Sequence, residues 1–218
     1  MEVVTPILLF IDGKKFALEG NFDPDETLSA FLRRIGITGS KIGCQEGVCG
    51  SCAVCIGKWC PKKKKAKYLS INACLTPLYL LHNCSILTAN GIGNPKSMHP
   101  VQERLSRGHG SQCGYCSPGF VMAMYALLRN NPKPSDYEIR QAIKGNICRC
   151  TGYRPIIEAF STFGSGCGGC SGSKDGKCCR ENPENSESGS LFEERLVKWK
   201  DFPKYDPTQE IIFPPELI

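Results

Sequence analysis

No run of about 18 apolar residues occurs in this 218-residue chain, which excludes a transmembrane helix. The N-terminus, Met1-Glu2-Val3-Val4-Thr5-Pro6, lacks the basic start and small-residue cleavage site of a secretory signal. Charge of one sign is not in large excess either. Lys and Arg number 27 against 21 Asp and Glu, a formal net charge of +6, which is weak support for nucleic acid as a partner. What the chain has in quantity is cysteine, 15 residues, with 23 Gly and 15 Pro that indicate many loops. So many cysteines without a signal point to a reducing compartment and to metal rather than disulfides, and the expected location is cytoplasmic. The odd count leaves at least one thiol unpaired in any all-disulfide scheme. Hydrophobic residues make up 41%, enough for real cores in one or two domains.

Eight of the cysteines fall into two groups. The first is Cys44-x4-Cys49-x2-Cys52 closed by Cys74; the second is Cys113-x2-Cys116 closed by Cys148-x-Cys150. The asymmetric first triplet is the plant-type ferredoxin spacing, in which thiolates grip a [2Fe–2S] unit and a distant cysteine completes the set. Gly43, Gly47 and Gly50 lie among its thiols, as suits a loop wrapped closely around a cofactor. Zinc is the alternative, but tetrahedral zinc sites usually come as two matched Cys-x2-Cys pairs, which Cys44-x4-Cys49 does not fit. The second group is less specific by itself: zinc, or redox dithiol chemistry at Cys113-Gly114-Tyr115-Cys116, stays open on spacing alone. An oxidised cluster with four thiolates adds two negative charges, so two clusters bring the formal +6 to about +2. The run Lys62-Lys63-Lys64-Lys65-Ala66-Lys67 reads as a solvated hairpin tip, with a targeting or anion-binding patch as the alternative.

Around these groups the chain divides into an α+β arrangement. Residues 7–20 predict a hairpin turning at Asp12-Gly13. Asp25-Glu26 opens a helical segment with Leu28, Phe31, Leu32 and Ile35 on one face, ended by Gly36. Strands over 53–56, 68–71 and 85–88, with a helical segment near 74–81, complete a small β-grasp sheet. Residues 90–95 then read as a linker. From His99 onwards helices dominate: 100–107, then 117–130 with Ser117-Pro118 as cap and first turn and Phe120, Val121, Met124, Leu127 and Leu128 as its apolar face. A third starts at the capping box Ser135-Asp136-Tyr137-Glu138, and a fourth at Arg154-Pro155. This predicts a four-helix bundle with Cys113/Cys116 and Cys148/Cys150 each just ahead of a helix, where free N–H groups favour a dianionic cluster. The expected domains are 1–90, ferredoxin-like; 91–163, helical; and 164–218, a flexible linker and an extended C-terminal tail. The tail has too little apolar content to fold alone and is expected to lie against something else.

The segments Gly43-Cys44-Gln45-Glu46-Gly47-Val48-Cys49-Gly50-Ser51-Cys52, Asn72-Ala73-Cys74-Leu75 and His99-Pro100-Val101-Gln102-Glu103-Arg104 carry a family resemblance. So do Gly110-Ser111-Gln112-Cys113-Gly114-Tyr115-Cys116-Ser117-Pro118-Gly119 and Gly145-Asn146-Ile147-Cys148-Arg149-Cys150-Thr151-Gly152-Tyr153-Arg154-Pro155. Together they resemble the N-terminal iron–sulfur part of the molybdenum hydroxylases, the xanthine dehydrogenase and aldehyde oxidase family. The likeness covers residues 7–163 and 206–218, where Asp206-Pro207-Thr208-Gln209-Glu210 resembles the segment leading to the flavin domain. It implies two [2Fe–2S] clusters held by Cys44, Cys49, Cys52 and Cys74, and by Cys113, Cys116, Cys148 and Cys150. It also implies electron transfer from a molybdopterin site through the helical-domain cluster and the ferredoxin-like cluster to FAD, with Gln112 and Cys150 beside the pterin. FAD and molybdopterin are expected on other domains or partner chains of the same oxidoreductase, in a homodimeric assembly without nucleic acid or membrane. No catalytic residue is expected in this chain. An aldehyde oxidase-type member, or a free-standing ferredoxin-like carrier, is the alternative; the Gly-Cys stretch at 164–170 leans slightly to xanthine dehydrogenase.

Cys55, Cys60 and Cys84 are additional thiols. Cys49-x2-Cys52-x2-Cys55 would permit ligand swapping with Cys44, but the glycine-rich loop favours Cys44, and the three extra cysteines are expected as small buried apolar residues. Cys167, Cys170, Cys178 and Cys179 read as mobile thiols of the linker, with disulfides or adventitious metal as the alternative.

Overall fold

The computed structural model describes residues 6–19, 23–164 and 202–218. The four linker cysteines named above lie outside the described residues. Alternating apolar residues build β1 (Ile7–Ile11), which pairs antiparallel with β2 (Lys14–Leu18) through the Asp12-Gly13 turn. Both turn residues have positive φ, at 49° and 80°, the conformation that matches the right-handed twist of the flanking strands. Helix α1 (Leu28–Arg34) starts one turn later than the acidic pair suggested: Thr27 is its cap and accepts from the Ala30 N–H.

Strand β3 (Ala53–Cys60) and β4 (Lys65–Asn72) form a hairpin longer than the strand propensities at 53–56 and 68–71 predict. The lysine run sits at its tip, with a 3-10 turn over Pro61–Lys63 and Lys64 in the left-handed region, φ 47°. Cross-strand pairing of Trp59 with Ala66 and of Lys58 with Lys67 carries the ladder out that far. The helical segment before the last strand is shorter than expected, a 3-10 turn at Leu78–Leu81. Strand β5 (Cys84–Leu87) is parallel to β1 and antiparallel to β3, giving the order β2-β1-β5-β3-β4.

One face of this sheet buries Leu9, Ile11, Val54 and Ile86 against Leu28, Phe31 and Leu32 of α1. The opposite face is not left to solvent. Cys55, Tyr68 and Leu87 point into a second core built by four helices, α2 (Pro100–Arg107), α3 (Ser117–Asn130), α4 (Asp136–Ile143) and α5 (Arg154–Ser161). Alternation along β3 puts Val54 in one core and Cys55 in the other. α3 lies between the sheet and the other helices, so Met122, Ala123, Tyr125 and Ala126 are buried as well as the predicted stripe, while Leu127 is only partly covered. Phe120 and Phe160 are fully buried there, each worth about 1.5–3 kcal/mol. Ser117 turns out to be the first residue of α3 and Cys116 its cap. The capping box of α4 is present as predicted, with Ser135 Oγ accepting from the Glu138 N–H and the Glu138 carboxylate accepting from the Ser135 N–H. Among the described residues no helix is long and apolar enough to cross a membrane.

Residues 202–218 cross the junction of the two cores. Phe213 stacks on Trp59 with ring centroids 6.2 Å apart, and Lys15 pairs with Glu216 at 2.6 Å. Arg104, buried in α2, lies over the Phe163 ring at 3.8 Å, donates to Thr162 Oγ1 and donates to the Pro203 carbonyl at 2.9 Å. Burial lowers its pKa to about 10. Glu210 is the deepest anchor. It accepts from the Tyr205 hydroxyl at 2.6 Å, lies 2.9 Å from His99 Nε2 and pairs with Arg129 at 3.6 Å. His99 Nδ1 accepts from the Val101 N–H at the start of α2, so Nε2 carries the proton and donates to Glu210. Arg129 also donates to the Tyr68 hydroxyl, and Asn130 closes a pair of hydrogen bonds with the Tyr68 backbone, tying α3 to β4. The tail therefore lies against the chain's own two cores.

Candidate iron–sulfur centres

The first cysteine group lies on the loop between α1 and β3, with Cys74 on the loop after β4. Positive φ at Gln45 (60°), Gly47 (73°) and Gly50 (71°) curls the loop so that its N–H groups turn inward. Cys44 Sγ accepts from the Glu46 and Cys49 N–H groups, both at 3.4 Å. These bonds, that of Cys49 foremost, bring its thiol down to about 7. A Cβ on Gly43 would stand 2.9 Å from Cys49 Sγ, so the cradle leaves no room for a side chain there. Cys52 and Cys74 are buried beneath the loop. Burial, and then the neighbouring Cys74 thiol, push Cys52 up to about 11. The amides of α1 hold the Cys74 loop: Leu28 N–H donates to Thr76 O and Ser29 N–H to Ala73 O. Asn72 Nδ2 donates to the Gly47 carbonyl at 2.7 Å and locks the two loops together.

The second group gathers where α3 and α5 begin. Cys116 caps α3, and burial with the adjacent Cys148 thiol raises it to about 12. Burial works against ionisation of Cys148, but hydrogen bonds to its Sγ, from the Thr151 hydroxyl at 3.1 Å and backbone N–H, from Cys116 and from the Cys150 N–H, together outweigh it and hold Cys148 below the ordinary thiol range. Cys150 is raised by the thiol of Cys113 beside it, and both of these are exposed. Of the four thiols only Cys116 is itself a helix cap. Tyr153 caps α5 with φ 69°, and its hydroxyl accepts from the Cys148 N–H at 3.0 Å, so the second pair is set by a tight turn rather than by helix amides. Gln112 is exposed next to Cys113.

The thiols thus approach one another in twos: Cys44 with Cys49, Cys52 with Cys74, Cys116 with Cys148 and Cys113 with Cys150. Among the described residues no three His, Cys, Asp or Glu side chains converge to hold a single metal ion. A diiron core takes two protein ligands on each iron, and four thiols arranged as two pairs fit that demand. Soft thiol donors, inward N–H groups and a glycine-lined cradle fit the same group. Cys55 is fully buried on the far side of the sheet, among Tyr68 and Leu87, and burial pushes it up to about 12. It is therefore separated from the first cradle by the strand itself, and ligand swapping has no route. Cys84 is buried as expected, whereas Cys60, at the hairpin tip, is half-buried.

The two groups are joined directly. Ile147 N–H donates to the Cys49 carbonyl at 2.9 Å, Asn146 Nδ2 donates to the Gly50 carbonyl at 3.0 Å, and the Tyr115 hydroxyl donates to the Ile42 carbonyl at 2.7 Å. Of the three donors, Asn146, Ile147 and Tyr115, none stands out in the sequence except as part of a cysteine motif.

Both halves match models of cluster-binding domains. Residues 9–79 match the 2Fe-2S iron-sulfur cluster binding domain, and residues 88–161 match the [2Fe-2S] binding domain. Fold and site therefore define a protein with two [2Fe–2S]-binding units. Over 220 residues, 99% of its length, it is 49% identical to xanthine dehydrogenase/oxidase of Mus musculus, and over 96% of its length it is 49% identical to aldehyde oxidase 2 of Rattus norvegicus. In structure it is similar to quinoline 2-oxidoreductase from Pseudomonas putida 86, with a TM-score of 0.60 and 36% identity over 71% of this chain and 89% of that one. It is also similar to the aldehyde oxidoreductase of Desulfovibrio gigas, with a TM-score of 0.63 and 29% identity over 80% of this chain and 19% of that one. The chain belongs to the xanthine dehydrogenase/aldehyde oxidase family of molybdenum hydroxylases and corresponds to its iron–sulfur region. It spans 16% of the length of the mouse and rat relatives.

Proposed function

We propose that this chain is the electron-transfer portion of a molybdenum hydroxylase, passing single electrons from a molybdopterin site to FAD by way of two [2Fe–2S] clusters. Cys44, Cys49, Cys52 and Cys74 hold one cluster, and Cys113, Cys116, Cys148 and Cys150 the other. Bound there, each cluster supplies reversible one-electron storage. The protein's part is to place thiolates, aim N–H groups at the sulfurs, exclude water from Cys52, Cys74 and Cys148, and fix the separation of the two cages. The hydrogen bond from Ile147 N–H to the Cys49 carbonyl carries this reading, because it links the backbone of one cysteine loop to that of the other without a gap.

The domain division at residue 90, with the segment from 164 onwards leading towards flavin, belongs to the same proposal. So do the flavin and molybdopterin partners, the homodimeric assembly, the cytoplasmic location and the place of Gln112 and Cys150 beside the pterin. Equal identity to a xanthine dehydrogenase and an aldehyde oxidase assigns the relay, which both share, and not a substrate. The test is iron and acid-labile sulfide analysis with electron paramagnetic resonance of the anaerobically loaded, reduced protein. Two distinguishable signals are expected, one of them lost in Cys148→Ser while the other persists. A protein that takes up zinc in place of iron, or one that loses both signals together, would overturn the proposal.

A further inference from the structure

We propose that Asn146 is a positioning residue for electron transfer between the two cysteine cages, an inference that rests on the relay reading above. Asn146 follows α4 and stands two residues before Cys148; only 6% of it is exposed. Its backbone N–H caps the helix end by donating to the Ile143 carbonyl, so the side chain is free to act elsewhere. The side chain enters a slot walled by the backbone of both cysteine loops and by the first turn of α3. A Cβ on Gly50 would come within 2.6 Å of Asn146 Nδ2 and 2.6 Å of the Gly145 carbonyl oxygen. A Cβ on Gly119 would come within 2.8 Å of the same Nδ2. Glycine at both positions is therefore what lets the amide reach the Gly50 carbonyl at all.

The consequence lies one residue along. Two consecutive acceptors of the first loop, the carbonyls of Cys49 and Gly50, are taken by two consecutive residues of the second, Ile147 through its backbone and Asn146 through its side chain. The Cys49–Ile147 bond completes a route that runs along bonds from Cys49 Sγ to its carbonyl, across one hydrogen bond to Ile147 N, and along the backbone to Cys148 Sγ. Electron tunnelling falls steeply when a bonded link is replaced by empty space. The Cys49–Ile147 contact lies in a loop-to-loop junction with no ladder to fix its register, and the neighbouring Asn146–Gly50 bond fixes it. The Gly50 carbonyl also accepts from the Ala53 N–H of its own loop, so removing the Asn146 amide takes away only the bond that comes from the second loop, and it is the register between the loops that loosens. Asn146 touches no reacting atom; it acts through the alignment of Cys49 and Ile147.

The test uses the loaded protein with both clusters reduced. Asn146→Leu keeps the branched shape of the side chain without a donor, and Asn146→Ala empties the slot. The readouts are iron and sulfide content, the two resonance signals, the spin–spin splitting between them, and the rate of electron equilibration between the two sites after flash reduction. Both variants are expected to keep full iron and both signals, while the splitting shrinks and equilibration slows severalfold. Unchanged splitting and rate at full iron content in both variants would overturn the positioning role and leave the relay standing. Loss of iron from either cage in Asn146→Leu would also overturn it, by assigning the amide to cluster retention. Wild-type protein without two signals would bring down the relay reading, and the inference with it.

Discussion

Gly119 offers a sharp quantitative test of how the two cysteine loops meet. It lies in the first turn of α3, where alanine would ordinarily be preferred over glycine by about 1 kcal/mol. Here the added methyl would overlap the Gly50 carbonyl oxygen and stand 3.0 Å from the Gly50 carbonyl carbon. None of these neighbours is the loose end of a side chain. Gly50 is held by Asn146, and α3 is wedged between sheet and bundle with Phe120, Met122 and Met124 fully buried. Relief thus requires moving a helix or a cluster loop. Overpacking of this kind costs about 1–3 kcal/mol, and the loss of the Asn146–Gly50 bond adds about 1 kcal/mol. After the propensity gain, Gly119→Ala is expected to destabilise by about 1–3 kcal/mol. Gly145→Ala is the matched control. It has open space around its would-be Cβ and no positive φ, so it should be neutral or stabilising by about 0.4–1 kcal/mol. The assay is denaturant unfolding of the loaded proteins, followed by circular dichroism and by bleaching of the visible absorbance. A Gly119→Ala protein as stable as Gly145→Ala would refute the close approach of α3 to the first loop.

Tyr115→Phe removes the hydroxyl that bridges to the Ile42 carbonyl, and should cost about 0.5–1.5 kcal/mol in the same assay while both resonance signals persist. Cys55→Ala should lose about 1 kcal/mol from the core and leave the first cluster's signal unaltered, whereas Cys74→Ser should abolish that signal. Burial works to raise the Glu210 carboxyl, but bonds from His99 and Tyr205 outweigh it and hold the group below the ordinary carboxylate range. Its contribution is therefore complete above the unfolded carboxylate pKa and is lost as pH falls through the lower folded value. Glu210→Gln should weaken tail docking by about 1–3 kcal/mol at neutral pH, with the difference from wild type closing as pH falls through the lowered folded value. Trp59 fluorescence in a Trp199→Phe background reports the docking, since Phe213 of the tail stacks on Trp59; a difference that persists into strong acid would contradict the assignment.

The parts of the fold that were legible in the sequence are those fixed by local chemistry. Asp12-Gly13 specifies its hairpin, Ser135 and Glu138 specify a helix start, and the cysteine spacings mark both loops. The misjudged features depend on residues distant in the chain. The stripe on α3 gave only one buried face because nothing in a 3.6-residue period announces that Tyr68, Cys55 and Leu87 cover the other. The same blindness applies to the hairpin of β3 and β4, where lysines suggested an end to the strands that cross-strand pairing postponed. Asn146 is marked in the sequence only by its place in the second cysteine motif; its partner is 96 positions away, and the need for glycine at Gly119, and for Gly50 to face Asn146, becomes visible only when the loops are brought together. Glu210 belongs to a tail poor in apolar residues, and its partners His99, Arg129 and Tyr205 come from three separate segments.

Because Cys55, Tyr68 and Leu87 of the sheet are core residues for the helices as well, the two halves share an interior and have no hinge between them. In the proposed relay, charge would therefore move through a solid junction, not by a swinging arm that must diffuse between docking positions. Raising solvent viscosity with glycerol should leave the hop between the two redox centres as fast as it is in dilute buffer.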